Sequence, residues 1–161
     1  MSSNSPVGSF QFLLEKLEFV FKDSTDAEPF ALKADDIKQC YDRVEQILAG
    51  LLIHYNIHFD TERRGSTHRY HDNLISAFQS RDTPREIREP LGTGPIQGVL
   101  FDGKSFRNKH KEFKEQRLDE GGLRSYLATM VNGLPLVIKA LRKACENAKV
   151  MLVRCPANAE G

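Results

Sequence analysis

The stretch ALKADDIKQCYDRVEQILAGLLIHYNIH, residues 31–58, decides the fold class. Ile37, Cys40, Tyr41, Val44, Ile47, Leu48, Leu51, Leu52 and Tyr55 recur through it at three- and four-residue steps, with charge on the opposite side. That is the α-helical period, one apolar stripe turned toward a core. A helix over this stretch spans about 40 Å at 1.5 Å per residue, and its single Gly50 weakens it only slightly.

Toward the N-terminus, Phe10, Leu13, Leu14, Leu17, Val20 and Phe21 repeat the same period, which Asp23-Ser-Thr-Asp26 breaks. Toward the C-terminus, residues 60–67 read as a polar link. Ser66 or Thr67 then caps a shorter helix that turns Tyr70, Leu74, Ile75 and Phe78 inward. Residues 80–98 hold Pro84, Pro90 and Pro95 with Gly92, Gly94 and Gly98, and predict a long loop. Ile96 to Phe101 reads as a short extended piece. From Lys104 to Arg117 a charged helix is anchored by Phe106 and Phe113 and interrupted at Gly121-Gly122. Leu123, Leu127, Met130, Leu134, Ile138, Leu141 and Cys145 define a second long stripe, and Pro135 within it predicts a kink or break near Asn132-Gly133. Val150 to Val153 ends that helix or adds a minor strand. Two long amphipathic helices with two or three shorter ones predict an all-α helical bundle, with one minor strand at most. Residues 9–155 form its single domain, between flexible segments at 1–8 and 156–161.

Composition agrees. Leu, Ile, Val and Phe number 17, 8, 8 and 10 of 161 residues, above the range of chains that stay disordered. Cys40, Cys145 and Cys155 form neither a CxxC pair nor an even framework, which fits a reducing, cytoplasmic setting. The first residues lack a basic and an apolar signal region, and no apolar run reaches the ~18 residues of a membrane span. Charge is polarised: residues 1–60 carry five basic and ten acidic residues, and residues 61–161 carry eighteen and twelve. This polarity points either to an anionic partner for the second part or to attraction between the two parts, within the fold or between subunits.

Four groups of residues bear on chemistry. Gly98-Val-Leu-Phe-Asp-Gly103-Lys104-Ser105 satisfies G-x4-G-K-[ST], the spacing with which backbone N–H groups cradle phosphates. The strand that such a loop requires is missing before it, where Glu89-Pro-Leu-Gly-Thr-Gly-Pro95 stands. His54 with His58, and His68 with His71, have spacings that would suit zinc if their two helices paired. Histidines at helix ends more often cap or face water, and the reading adopted is no metal and no cofactor. Lys104, Arg107, Lys111 and Lys114 share a helix face, with Lys109 flanking it and Arg63, Arg64 and Arg69 elsewhere, a row able to neutralise successive phosphates. The bland alternative is a solvated face balanced by Glu112 and Glu115.

Arg63-x4-His68 and Arg64-x6-His71 also resemble the Arg-x4–6-His motif of HEPN ribonucleases, small helical bundles whose pair faces across a dimer interface. The resemblance implies metal-independent RNA cleavage by Arg63 or Arg64 with His68 or His71. The family favours a polar side chain directly after the arginine; Arg64 follows Arg63, while Gly65 follows Arg64 and departs from that pattern. The sequence therefore predicts first a non-enzymatic helical module binding nucleic acid or an acidic protein through its basic second part, in one version as a homodimer. A HEPN-like ribonuclease and a histidine-cluster metalloprotein are the alternatives.

Overall fold

The computed structural model describes residues 6–24, 28–57 and 67–160, with side chains for 12–22, 28–57 and 71–148. Within these residues six α-helices follow one another: α1 (Pro6–Ser24), α2 (Phe30–His54), α3 (Thr67–Ser76, continued by a 3-10 turn, Ala77–Gln79), α4 (Arg85–Leu91), α5 (Gly94–Lys114) and α6 (Glu120–Glu160). Among the described residues there is no strand. The chain is an all-α bundle, and none of its described helices is long and apolar enough to cross a membrane.

α6 is the spine, packing against α1, α2, α4 and α5, while α2 also meets α1, α3 and α5. The α2 stripe read from sequence is the stripe the core uses: Ile37, Cys40, Tyr41, Val44, Ile47, Leu48, Leu51 and Leu52 are all buried. α2 ends where Asn56 adopts φ 60°, a left-handed conformation asparagine tolerates better than most residues. Leu123, Leu127, Met130, Leu134, Ile138, Leu141 and Cys145 of α6 are buried as well. α6 starts where the Asp119 carboxylate accepts from the Gly122 N–H at 2.8 Å, so Gly121-Gly122 lies in its first turn.

Three expectations are corrected. The helix over Pro135 is not broken: α6 continues through it, with the proline ring on the exposed side. Val150 to Val153 is part of α6 and not a strand. The loop expected over 80–98, with its extended piece at Ile96–Phe101, is mostly helix. Pro84 directly precedes α4, and Pro95 sits in the first turn of α5, where the Thr93 hydroxyl accepts from the Ile96 N–H. A proline at those places lacks only an N–H that has no intrahelical partner anyway, so it starts a helix there. Of Pro84, Pro90 and Pro95, only Pro90 falls beyond the first turn of a helix, near the end of the seven-residue α4. The buried Gln97 amide then donates to the carbonyls of Ile75 (3.0 Å) and Leu91 (3.3 Å), tying the ends of α3 and α4 to α5.

Burial pushes the Cys40 thiol up to about 12, with Asp36 adding to the shift and Arg43 opposing it; burial likewise pushes Cys145 up to about 11. Both thiols stay protonated at neutral pH, and the thiolate is the reactive form. Native protein is expected to leave Cys40 and Cys145 unmodified by a thiol-specific reagent until denaturant unfolds it, as peptide mapping would show. Rapid native labelling at either position would contradict the packing described.

Candidate functional site

α2 carries Asp35, Asp42 and Glu45 at the edge of its apolar stripe, and α5 carries Lys104, Arg107, His110 and Lys114 on the side turned toward it. The two sets meet in antiparallel order. At one end the His110 Nε2 lies 2.8 Å and the Lys114 Nζ 3.3 Å from the two Asp35 carboxylate oxygens. Further along, the Arg107 guanidinium reaches Asp42 at 3.2 Å and Glu45 at 2.7 Å. At the far end Lys104 donates to Asp72 of α3 at 2.9 Å.

Arg107 is the centre of the arrangement. One of its terminal nitrogens donates to Glu45, and the other lies 2.8 Å from Nε2 and 3.3 Å from Nδ1 of His71. The His71 Nδ1 is itself 2.8 Å from the second Glu45 oxygen. An arginine only donates, so the nearer imidazole nitrogen, Nε2, accepts, while Nδ1 faces the Glu45 carboxylate. The guanidinium carbon stands 4.9 Å from the centre of the Tyr41 ring, a cation–π contact. Side-chain exposure is 12% for Glu45, 15% for His71 and 21% for Arg107. Burial alone would raise the Glu45 carboxyl, but the bonds from His71 and Arg107 outweigh it and hold the group below the usual carboxylate range.

Tyr41 is held by both neighbours. Its hydroxyl donates to the Leu100 carbonyl of α5 at 2.6 Å, which exists as a free acceptor only in the sense that a carbonyl has two lone pairs. Burial, followed by the charge of Glu45, raises the phenol well above its ordinary value, with Arg107 opposing. Gly103 makes this seat: a Cβ built there would lie 2.0 Å from the Tyr41 Cε1.

The cationic row predicted on α5 is thus divided. Lys104 and Arg107 are engaged with α2 and α3, and Lys114 with α2, while Lys111 is exposed. Lys109 lies 3.8 Å from Glu112 and 5.8 Å from the centre of the Tyr126 ring. Arg63 and Arg64 lie outside the described residues, as does His58; Arg69 and His68 fall in the first turn of α3, where side chains are not described. Of the four clustered histidines, His54 stacks edge-on against Tyr55 at 5.0 Å, and its pKa is lowered by burial. His71 joins Glu45 and Arg107. Among the described residues no three His, Cys, Asp or Glu side chains gather as metal ligands. The G-x4-G-K-S stretch lies wholly inside α5, where backbone N–H groups close the helix and offer no cradle to phosphate.

Glu45, His110 with Asp35, and Tyr41 were not singled out in the sequence as site residues. The signal that bears on them was the charge polarity, acidic in the first 60 residues and basic afterwards: here it works within the fold. Comparison with family models, with curated proteins and with solved structures finds no match, so the site is read from its own residues.

Proposed function

We propose that the chain is a non-catalytic helical interaction module that binds an acidic protein partner. The observation that supports it is the internal engagement of the ionisable groups: Glu45, His71 and Arg107 hold one another between three helices, and His110 holds Asp35. Both ring nitrogens of His71 face neighbours within the fold, Arg107 on one side and Glu45 on the other. What faces a partner is surface. Phe12, Phe19, Leu32, Ile53, Phe101 and Leu136 stand exposed, and at the end of α5 Lys111 is exposed one turn before Lys114, which is itself exposed while paired with Asp35. A surface that offers both exposed apolar side chains and a few cations suits an acidic protein partner. A phosphate backbone favours a longer row, from which Lys104 and Arg107 are drawn inward.

Three probes test this: a fluorescent glutamate-rich peptide, single-stranded RNA and duplex DNA, each with and without chelator. The peptide is expected to bind at low salt and to weaken several-fold in a Lys111→Gln/Lys114→Gln variant. RNA is expected to stay intact, and any duplex retention should show a log affinity–log salt slope no steeper than about −3, at ~0.9 per contact. Absence of peptide binding at low salt would sink the acidic-partner reading. RNA cleavage lost in a folded His71→Ala variant would establish the ribonuclease alternative, and a slope near −4 would restore the full cationic row.

A further inference from the structure

Burial along α1 follows the same pattern in both directions, with a glutamate and a lysine as the exchanged pair at its centre. Residues 12–19 are Phe-Leu-Leu-Glu-Lys-Leu-Glu-Phe, and their burial is symmetric about the point between Glu15 and Lys16. Phe12 and Phe19 are exposed, at 58% and 73%; Leu13 and Glu18 are half-buried; Leu14 and Leu17 are buried; Glu15 and Lys16 are exposed. Positions 12, 15, 16 and 19 are spaced i, i+3, i+4, i+7, so the four exposed side chains share one helix face. The inward positions, Leu14 and Leu17, anchor that face rigidly to the core.

We propose that this face is a two-fold interface between copies of the chain, formed by antiparallel pairing of α1 about an axis between Glu15 and Lys16. Such an axis brings each residue opposite the one whose number completes 31. Phe12 then meets the second copy's Phe19, and Glu15 meets its Lys16, twice over. An isologous interface requires this self-complementarity, and opposite charges at its centre fix register and direction. Parallel pairing would set Glu15 against Glu15 and Lys16 against Lys16, and is disfavoured by like-charge contact. The face is also shaped to receive a ring. Phe12, Glu15, Lys16, Phe19 and Val20 line, with Arg43 of α2, a groove of about 370 Å³. The Lys16 ammonium already lies 5.0 Å from the centre of its own Phe12 ring, close to where the second copy's Glu15 arrives.

This deepens the interaction-module reading by naming one partner, a second copy, and it fails separately: a monomeric wild type leaves the α5 peptide result as it stands. A single helix face per protomer belongs to the small class of interfaces, below ~1,200 Å² in total, so association should be half complete at about 10–100 μM.

Sedimentation equilibrium of the full chain over a concentration series is the test. Wild type is expected to pass from monomer to dimer. Glu15→Lys places four cations about the axis and Lys16→Glu four anions, and each variant alone is expected to remain monomeric. An equimolar mixture of the two restores opposite charges at every crossing and is expected to dimerise. Phe19→Ser supplies an uncharged check, weakening wild-type association at least tenfold, and helical circular dichroism confirms that each variant folds. A wild type that stays monomeric throughout, a dimer that persists in both charge variants, or a mixture that fails to associate would each overturn the proposal.

Discussion

Gly103→Ala is expected to destabilise the protein by about 3 kcal/mol, the upper part of the usual range for overpacking a well-filled core. The new methyl would stand 2.0–2.5 Å from three atoms of the Tyr41 ring. That ring is 1% exposed, its hydroxyl is fixed to the Leu100 carbonyl, and the Arg107 guanidinium lies against it, so it has little room to withdraw. Moving α5 away instead would lengthen the ion pairs from Arg107 to Asp42 and Glu45. Urea unfolding reads the loss directly, and a fall in Tm of roughly 6–12 °C should accompany it for a chain of this length. The same substitution in a Tyr41→Leu background is expected to cost much less, because the obstructing atoms are gone. Equal costs in the two backgrounds would show that the ring is not what the glycine accommodates.

Arg107→Gln should cost about 2–4 kcal/mol. Removing one partner of a buried pair typically costs ~3–5 kcal/mol, and the 21% exposure of Arg107 moderates this through solvent screening. The change leaves Glu45 with His71 alone and removes the cation from the Tyr41 face. A pH dependence follows from the depressed Glu45 carboxyl. A carboxyl whose folded pKa lies below its unfolded value, ~4.3 for glutamate, stabilises the fold above that value. Its contribution is lost as pH falls from the ordinary carboxylate range through the lower folded value. Wild type is therefore expected to lose stability steeply there, with a shallower loss in Glu45→Gln. Identical acid limbs for the two proteins would contradict the arrangement around Arg107.

How much of this was readable from sequence follows from what each residue signals locally. α2 and the stripe of α6 were legible because large apolar side chains repeat at the helical period, and burial of that stripe outweighs Gly50 in one and Pro135 in the other. The start of α5 was not, because prolines and glycines at 84–98 look like breakers until their places in the helix are known. The inward face of α5 runs Ile96, Leu100, Gly103, Phe106 and His110, all buried, and two of those five are not counted as apolar when a stripe is sought. The ion pairs were not legible at all. Lys104 and Asp72 are 32 residues apart, Arg107 and Glu45 62, and Lys114 and Asp35 79, so only the packed helices bring them together. The summed charge of the two parts carried the attraction without naming its residues.

A double-mutant cycle between Arg107 and Glu45 tests most directly the claim that the cations of α5 hold its own helices together. Stabilities of wild type, Arg107→Gln, Glu45→Gln and the double variant, measured by urea unfolding near neutral pH, give the coupling free of what each residue does alone. A favourable coupling of at least ~1 kcal/mol is expected, with any affinity for RNA unchanged by Arg107→Gln. A coupling near zero, together with loss of RNA affinity in Arg107→Gln, would place the arginine in the service of an external anion and contradict the account.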